Sequence, residues 1–566
     1  MAVCGMRNGV EMTDGINNIP VVIVGGGPVG LLLALFLDLY GVRSVIFNSE
    51  PEVRHHPKGS THNSRTMEHH RRLGIASQVR DLSLPINRPT DVSYYTRLTG
   101  WELGRFRLPS EAEKRRAVAA AATTDQIPEP LLRANQMYVE AFLLRYARTR
   151  PNVMVRFGWS VTAFRDDEAG VTVEAASRSG SETWRSQYLV GCDGGRSFVR
   201  RSLALRYHGF GKLDAPHYGG RMNATYFRAP TLHREHLAHR PGWNYWIVNP
   251  QIRFVLITLN EAEDFLVLSK GSDEGAPPTD EDMSELIRRG IGTDLPISIL
   301  GHWPWTAGVA LVAERLTAGR VALAGDAAHL FTPTGGFGMN TGMDDASNLA
   351  WKLAALVQGW GGPGLLQSYE TERRPIAERN TLAARELNKH LSAMPAPPEM
   401  EDDTTEGVAA RRLVGAHLAT MGEEFASIGV QLGARYDGSP LIAANGAPPP
   451  DDYVHYTPSS VPGGRMPHCW LGPGRGYGDS LFDHLGNGFT LVRLGGKPAN
   501  TSSFEAAARK RHVPLKVLDV LSAEARDLYG CDLALVRPDQ YIAWRGNVSP
   551  ADPNRLMARV TGSNAH

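Results

Sequence analysis

The sequence predicts an α/β protein of several domains, opening on a Rossmann-like βαβ unit with a β-rich insertion further on. Three features carry that expectation. A β-branched run at 21–24 reads as a buried parallel strand, leads into Gly25, Gly27 and Gly30, and continues as a Leu-rich helix that stops at Gly41. A second strand begins at Val45, which completes a βαβ unit with its glycines where a dinucleotide pyrophosphate approaches a helix N-terminus. Finally, helical and strand patterns alternate up to about 190 and return after Arg320, while 203–300 is richer in strand-like and aromatic segments.

The elements follow in order. Pro28 suits the first turn of the first helix. The acidic residue that usually ends the second strand and holds an adenosine ribose is replaced by Asn48; Glu50 lies two residues on, and which of them meets the ribose is open. A helix is expected over 61–73 with Gly74 as its C-terminal stop, and an amphipathic helix over 136–149. Strands are expected over 153–157, 161–164, 171–175, 183–190, 244–248 and 253–259. The Pro- and acid-rich stretch 394–403 reads as a linker. These shifts divide the chain into a nucleotide-binding domain in two parts (19–200 and 301–395), an inserted substrate domain (201–300), and a linker with a C-terminal domain (396–566).

The 566 residues carry 60 Lys+Arg against 59 Asp+Glu, so no charge imbalance points to nucleic acid or an anionic membrane as partner. The four cysteines are far apart, with no CxxC pair for zinc or thiol exchange, and no metal site is expected. No basic patch followed by an apolar stretch opens the chain, and the apolar run 29–37 falls well short of the ~20 residues of a membrane span. A soluble, cytoplasmic protein is expected.

Two further motifs follow the first. At 188–201 an apolar strand runs into Asp193-Gly194-Gly195, and Ser197 and Arg200 open a helix. At 320–353 a strand runs into Gly325-Asp326, then a glycine-rich loop, then a helix from about Met343. Asp326 can accept a hydrogen bond from a polyol hydroxyl. The backbone N–H groups around Gly338, Met339 and Asn340 can hold a developing negative charge at the helix start.

Together GGGPVG, CDGGRSFVR and GDAAHLFTPTGGFGMNTGMDDASNLAWKL resemble the FAD-dependent aromatic hydroxylases, the single-component flavoprotein monooxygenases related to para-hydroxybenzoate and phenol hydroxylases. The resemblance covers 19 to about 390 in order and spacing. PGGRMPHCWL, SLFDHLGNGFTLVRLG and LALVRPDQYIAWRG look like the thioredoxin-like appendage of phenol-hydroxylase-type members, here without CxxC and therefore without disulfide exchange.

The resemblance implies roles for the matching positions. Gly25, Gly27 and Gly30 would surround the FAD pyrophosphate, Asp326 would bind the ribityl chain, and the Gly338, Met339 and Asn340 backbone would meet the pyrimidine edge of the isoalloxazine. Gln136, Arg133, Lys58 and Arg65 stand at family cofactor contacts; an ordinary ion pair is the competing explanation for Arg65, Arg133 and Arg200. Asp193 and Gly194 would serve FAD and the nicotinamide donor, NADPH or NADH. Pro333 would shape the loop beside the flavin, with Thr332 where relatives often carry a second proline.

The implied reaction reduces FAD with NAD(P)H, adds O2 at flavin C4a, and transfers oxygen from the C4a-hydroperoxide to a phenol, ortho or para to its hydroxyl. A base or hydrogen-bond acceptor near that hydroxyl is expected. His217 and Tyr218 are the candidates entered for that role, with His208 and Tyr226 in the same segment. Any one of these side chains is more readily a core residue than the base, and so is His329, expected as a structural histidine. Trp243, Tyr245 and Trp246 offer aromatic surface, although neighbours on one strand cannot share a face. The implied partners are a small phenolic substrate and O2, with a homodimer as candidate assembly. Competing readings are Baeyer–Villiger or epoxidising oxygenation on the same fold, an FAD oxidase or reductase without oxygen insertion, and a plain NAD dehydrogenase. The last suits the chain least, because its glycine motifs lie ~300 residues apart and fit a cofactor spanning two segments.

Overall fold

The computed structural model describes residues 4–7, 10–13, 16–211, 219–260, 263–271, 278–496 and 499–563. Its first layer is a ten-stranded sheet whose core is parallel. Ile16–Val24 lies between Ser44–Asn48 and Gly180–Gly191, and the latter also pairs in parallel with Val321–Leu323. Val21, Val22 and Ile23 are fully buried, as expected for strands covered on both faces. The helix Pro28–Leu39 packs on this sheet with Leu31 through Asp38 buried, and Gly41 at φ +74° turns the chain away from it.

The register of this sheet positions the site. Val24 lies opposite Gly191, and Gly191 opposite Leu323. The glycine loop, the Asp193 turn and the Asp326 turn therefore leave the carboxyl ends of three adjacent parallel strands side by side. That edge is where open α/β sheets bind ligands.

A seven-stranded sheet stands above, in the order Ser298–Ala307, Gly220–Arg228, Asp264–Lys270, Arg253–Thr258, Asn244–Val248, Val92–Tyr95, Glu102–Phe106. The expected limits 201–300 do not follow it, because Val92–Tyr95 and Glu102–Phe106 join its edge and Ser298–Ala307 its other end. One face, with Tyr245, Ile247 and Phe254, packs under the helix Asp280–Ile291. The opposite face carries Tyr94, Trp243, Trp246 and Met222 and is closed by Thr405–Ala419 through Val414 and Leu418. Residues 405–421 thus belong with this sheet rather than with the C-terminal domain.

The C-terminal domain is thioredoxin-like. Its sheet runs Leu515–Val520, Phe489–Leu494, Leu533–Val536, Ile542–Gly546, with the first pair parallel and the others antiparallel. Cys469 and Cys531 are buried free thiols, and burial pushes Cys469 up to about 12. Among the described residues, no helix is long and apolar enough to cross a membrane.

Some elements start where local chemistry sets them. Thr61–His62 is a short strand, and the helix expected from 61 begins at Ser64 because the Asn63 side chain accepts from the Thr66 N–H. The helix expected from Met343 begins six residues earlier, at Phe337, since Gly335 and Gly336 at φ +77° and +67° finish the turn first.

His62 and His70 are fully buried, with rings 5.9 Å apart. Burial holds His62 down to about 4 and His70 well below its ordinary value. Both are neutral in the fold, whereas the unfolded chain takes up protons below about pH 6.5. Stability is therefore retained above pH 6.5 and lost as pH falls towards 4, by about 3 kcal/mol for His62. Melting temperature against pH should drop across that window for the native chain and less for His62→Gln. A flat profile between pH 6.5 and 4 would contradict the assignment.

Candidate active site

The glycine loop is built for close approach. The Gly25 N–H donates to the Phe47 carbonyl at 2.7 Å, and Gly25 sits at φ +109° against the next strand turn. A Cβ on Gly25 would lie 2.3 Å from the Cys192 carbonyl oxygen, and one on Gly30 2.1 Å from that of Gly25. A Cβ on Gly27 would meet nothing within 4 Å. Gly25 and Gly30 thus serve the fold, while Gly27 faces open space. Pro28 opens the helix, whose N-terminus no side chain caps.

Asn48 sits at the end of its strand with its amide committed. It accepts from the Gly26 N–H at 3.0 Å and donates to the Glu50 carbonyl at 3.1 Å, so it shapes the loop. The Glu50 carboxylate is exposed. Asp193 accepts from the N–H groups of Phe198 and Val199 at 2.6 and 3.1 Å through one oxygen, leaving Oδ1 buried without a partner. Gly194, at φ +81°, has open space where a Cβ would stand.

Asp326 is exposed in a turn whose neighbours are buried. Its carbonyl accepts from the Tyr207 hydroxyl at 2.5 Å, and the Arg200 guanidinium stacks 3.8 Å from the centre of that ring. Tyr207 carried no signal in the sequence.

Pro333 is exposed at the head of the next loop. Asn340 holds that loop through its side chain, accepting from the Asn63 N–H and the Thr66 hydroxyl and donating to the Thr61 and Gly336 carbonyls. Gly338 and Met339 are half-buried in the first turn of a helix that no side chain caps. Two uncapped helix N-termini, an open Gly27, an unpartnered Asp193 oxygen and an exposed Asp326 carboxylate fit a cofactor bearing a pyrophosphate and a polyol.

Other expected contacts stand elsewhere. Arg65 is a correction: it is buried with its guanidinium spent on Glu68 at 2.8 Å, Gln540 at 2.6 Å and the Asp539 carbonyl at 2.7 Å, so it joins domains and has no donor turned to the loop. Lys58 is exposed. Gln136 is half-buried and donates to Glu140. His208 is exposed and pairs with Glu314 at 3.1 Å, outside the aromatic face. His329 is fully buried against Asp345 at 2.6 Å, a structural histidine as expected. His217 and Tyr218 lie outside the described residues.

Arg133 turns towards the seven-stranded sheet. It hydrogen-bonds the Thr61 hydroxyl and stacks 4.0 Å from the centre of the Trp243 ring. Its Nε and the Trp243 Nε1 are buried without partners, and burial lowers the guanidinium to about 10. Glu424 completes this corner. Its carboxyl takes a hydrogen bond from the Gly335 N–H and lies in the field of Arg133, its Oε2 is buried without a partner, and burial pushes it up to about 7. Phe425, beside it, packs on Phe106 of the sheet with ring centres 5.1 Å apart.

Comparison with known proteins decides the family. The chain matches the family model described as FAD binding domain over residues 18–384, and that described as aromatic-ring hydroxylase, C-terminal, over residues 459–563. The chain belongs to the FAD-dependent aromatic-ring hydroxylases. It is 34% identical to the FAD-dependent monooxygenase apdD of Emericella nidulans, covering 97% of this chain and 91% of that protein. It is 30% identical to phenol 2-monooxygenase of a Pseudomonas species, covering 98% and 95%. Its fold is similar to that of RebC with bound 7-carboxy-K252c, at a TM-score of 0.85 and 33% identity, covering 97% of this chain and 99% of that one. As a flavoprotein monooxygenase of this family, the chain takes FAD and acts on an aromatic substrate with O2.

Proposed function

We propose that this monooxygenase consumes NADPH or NADH and hydroxylates a phenolic ring ortho or para to its hydroxyl. The observation that carries this reading is the corner where the flavin loop meets the aromatic face of the seven-stranded sheet. Trp243, Trp246, Tyr94 and Phe425 supply flat apolar surface, and Trp246 stacks on Tyr94 with ring centres 5.5 Å apart. Arg133 and Glu424 add a small number of unsatisfied polar atoms within that surface. An aromatic ring bearing one hydroxyl matches both. Phenol as the named substrate of a relative covering almost the whole chain supports the same class.

FAD, once bound and reduced by the nicotinamide donor, supplies the activation of O2 that no side chain can provide. The chain's own residues do the rest. Gly27 and the two uncapped helix starts hold the anionic part of the cofactor, and Asp326 accepts from its polyol. Asn340 fixes the loop of Pro333 and Gly335 against the Thr61–His62 strand, so the aromatic face stands at a set height over it. The stacked aromatic wall excludes water from the reacting face.

The test is turnover by the flavin-loaded protein across simple, substituted and polycyclic phenols. The expected result is NAD(P)H oxidation stimulated by at least one of them, with a product one oxygen atom heavier. Stimulated oxidation that yields only peroxide with every phenol would overturn the proposal in favour of an oxidase.

A further inference from the structure

The reaction proposed above asks for a group that takes the proton of the substrate hydroxyl, and the described side chains first considered for it do not occupy the site: His208 is on the surface and His329 is tied to Asp345. Buried ionisable groups beside the flavin loop narrow the choice. Glu424 touches that loop through Gly335, and its residue follows directly on the chain before Phe425, which packs on the aromatic face. Its Oε2 is sealed from solvent and has no hydrogen-bond partner, a costly arrangement for a group that only supports the fold. Arg133 faces the same corner from the opposite element, held between the Thr61 hydroxyl and the Trp243 ring, with its Nε also unpartnered. No ion pair within 4.0 Å joins the two among the described residues, so each keeps a face for a third group.

We propose that Glu424 and Arg133 form the hydroxyl subsite of the substrate pocket, with Glu424 as the base and Arg133 as the cation that holds the resulting phenolate over Trp243. The inference rests on the phenol reading of the site. In the step, the phenol O–H bond breaks, the proton passes to Glu424 Oε2 to give a neutral carboxyl, and the electron pair stays on the phenolate oxygen beside the guanidinium. Nothing is oxidised or reduced. The charge thus placed on the ring raises the electron density at its ortho and para carbons, the positions the reaction attacks.

The electrostatics suit the task. Burial raises the Glu424 carboxyl to about 7, opposed by the Gly335 N–H and by Arg133, the charged group acting on it. Such a carboxyl exchanges its proton near neutral pH, where a general base works best. An acidic limb in the rate profile follows: below about pH 7 Glu424 is protonated and the base is lost. Arg133, although lowered to about 10, stays charged throughout that range. The ligand class is an aromatic hydroxyl compound that ionises without great cost. A ring bearing only an ether or an alkyl group has no proton for Glu424 and leaves Arg133 unpaired.

The test uses the flavin-loaded enzyme and 4-nitrophenol, whose phenolate is coloured and whose neutral form is not in that band. The native enzyme is expected to bind the probe as phenolate at a pH below its ionisation in free solution. Glu424→Gln keeps the size of the side chain and an oxygen for the Gly335 N–H, so its flavin content and melting are expected to match the native protein; it should bind the probe without the phenolate band. Glu424→Asp is expected to restore part of the band, and Arg133→Gln to reduce it. With a turned-over phenol, Glu424→Gln should lower kcat by ~100-fold or more and remove the acidic limb, with KM changed far less. The same bound phenolate in Glu424→Gln as in the native enzyme, or no bound phenolate in the native enzyme, would overturn the assignment. A native enzyme that shows the phenolate band but never forms an oxygenated product would instead leave the subsite standing and remove the hydroxylase reading.

Discussion

Gly27→Val is expected to yield a folded protein that purifies without flavin. The loop separates its glycines by what surrounds them. A side chain at Gly25 or Gly30 collides with backbone oxygens at 2.3 and 2.1 Å, so substitution there damages the fold and the site together. Gly27 has no protein atom within 4 Å of its virtual Cβ, and its φ of −75° and ψ of −177° suit a β-branched residue. Valine costs the fold little more than a weaker helix start. Its methyl groups instead fill the space left for a pyrophosphate above the uncapped helix. The absorbance ratio of flavin to protein after purification, with melting and circular dichroism as controls, measures the two effects separately. Asp326→Ala should lower flavin retention in the same assay by removing the exposed carboxylate. A Gly27→Val protein carrying a full complement of flavin would refute the placement of the cofactor.

The second large effect lies away from the site. Glu372 is fully buried and accepts from Arg537 at 2.6 and 2.8 Å, Lys352 at 2.6 Å, Asn348 at 2.8 Å and Ser439 at 2.5 Å. Arg537 also grips Asp539, and Arg465 pairs with Glu68, so this set ties the C-terminal domain to the helices beneath the flavin loop. Arg373 extends it to Asp344 and Asp345. Whether such a network stabilises more than a well-packed apolar core is doubtful in general, but removing one partner is not neutral. Glu372→Gln leaves Arg537 and Lys352 facing each other without a counter-charge, at a cost of about 3–5 kcal/mol. The expected readout is a lower denaturant midpoint and faster proteolysis at the domain junction. Unchanged stability would show that the network is not what docks the domain.

The nucleotide-binding site was legible because its chemistry is local. Gly25, Gly27, Asp193 and Asp326 each follow directly from a strand, and strand, turn and helix start are readable within a dozen residues. Their meeting at one sheet edge required only that three parallel strands be neighbours. Asn48 was read as a ribose contact because its position along the strand is right, but its direction depends on the Gly26 N–H, which no spacing reveals. Arg65 was misplaced for a related reason: its partner Gln540 is 475 positions away, and a motif cannot report that pairing. The edge strands at 92–106 were missed as part of the substrate sheet because β pairing across 150 residues leaves no periodic trace. Glu424 sits in an ordinary polar run, and only burial against Gly335 and Phe106 distinguishes it from a surface carboxylate. The His69, His70 and His62 burial was equally invisible, since a histidine-rich helix face reads as solvated.

Isotopically labelled O2 tests the central claim most directly. The flavin-loaded enzyme is turned over with NAD(P)H and the phenol that stimulates it best, and product and water are analysed for label. One labelled oxygen on the ring, ortho or para to the existing hydroxyl, is the predicted result. Label found only in peroxide or water, with the phenol recovered unchanged, would contradict the account.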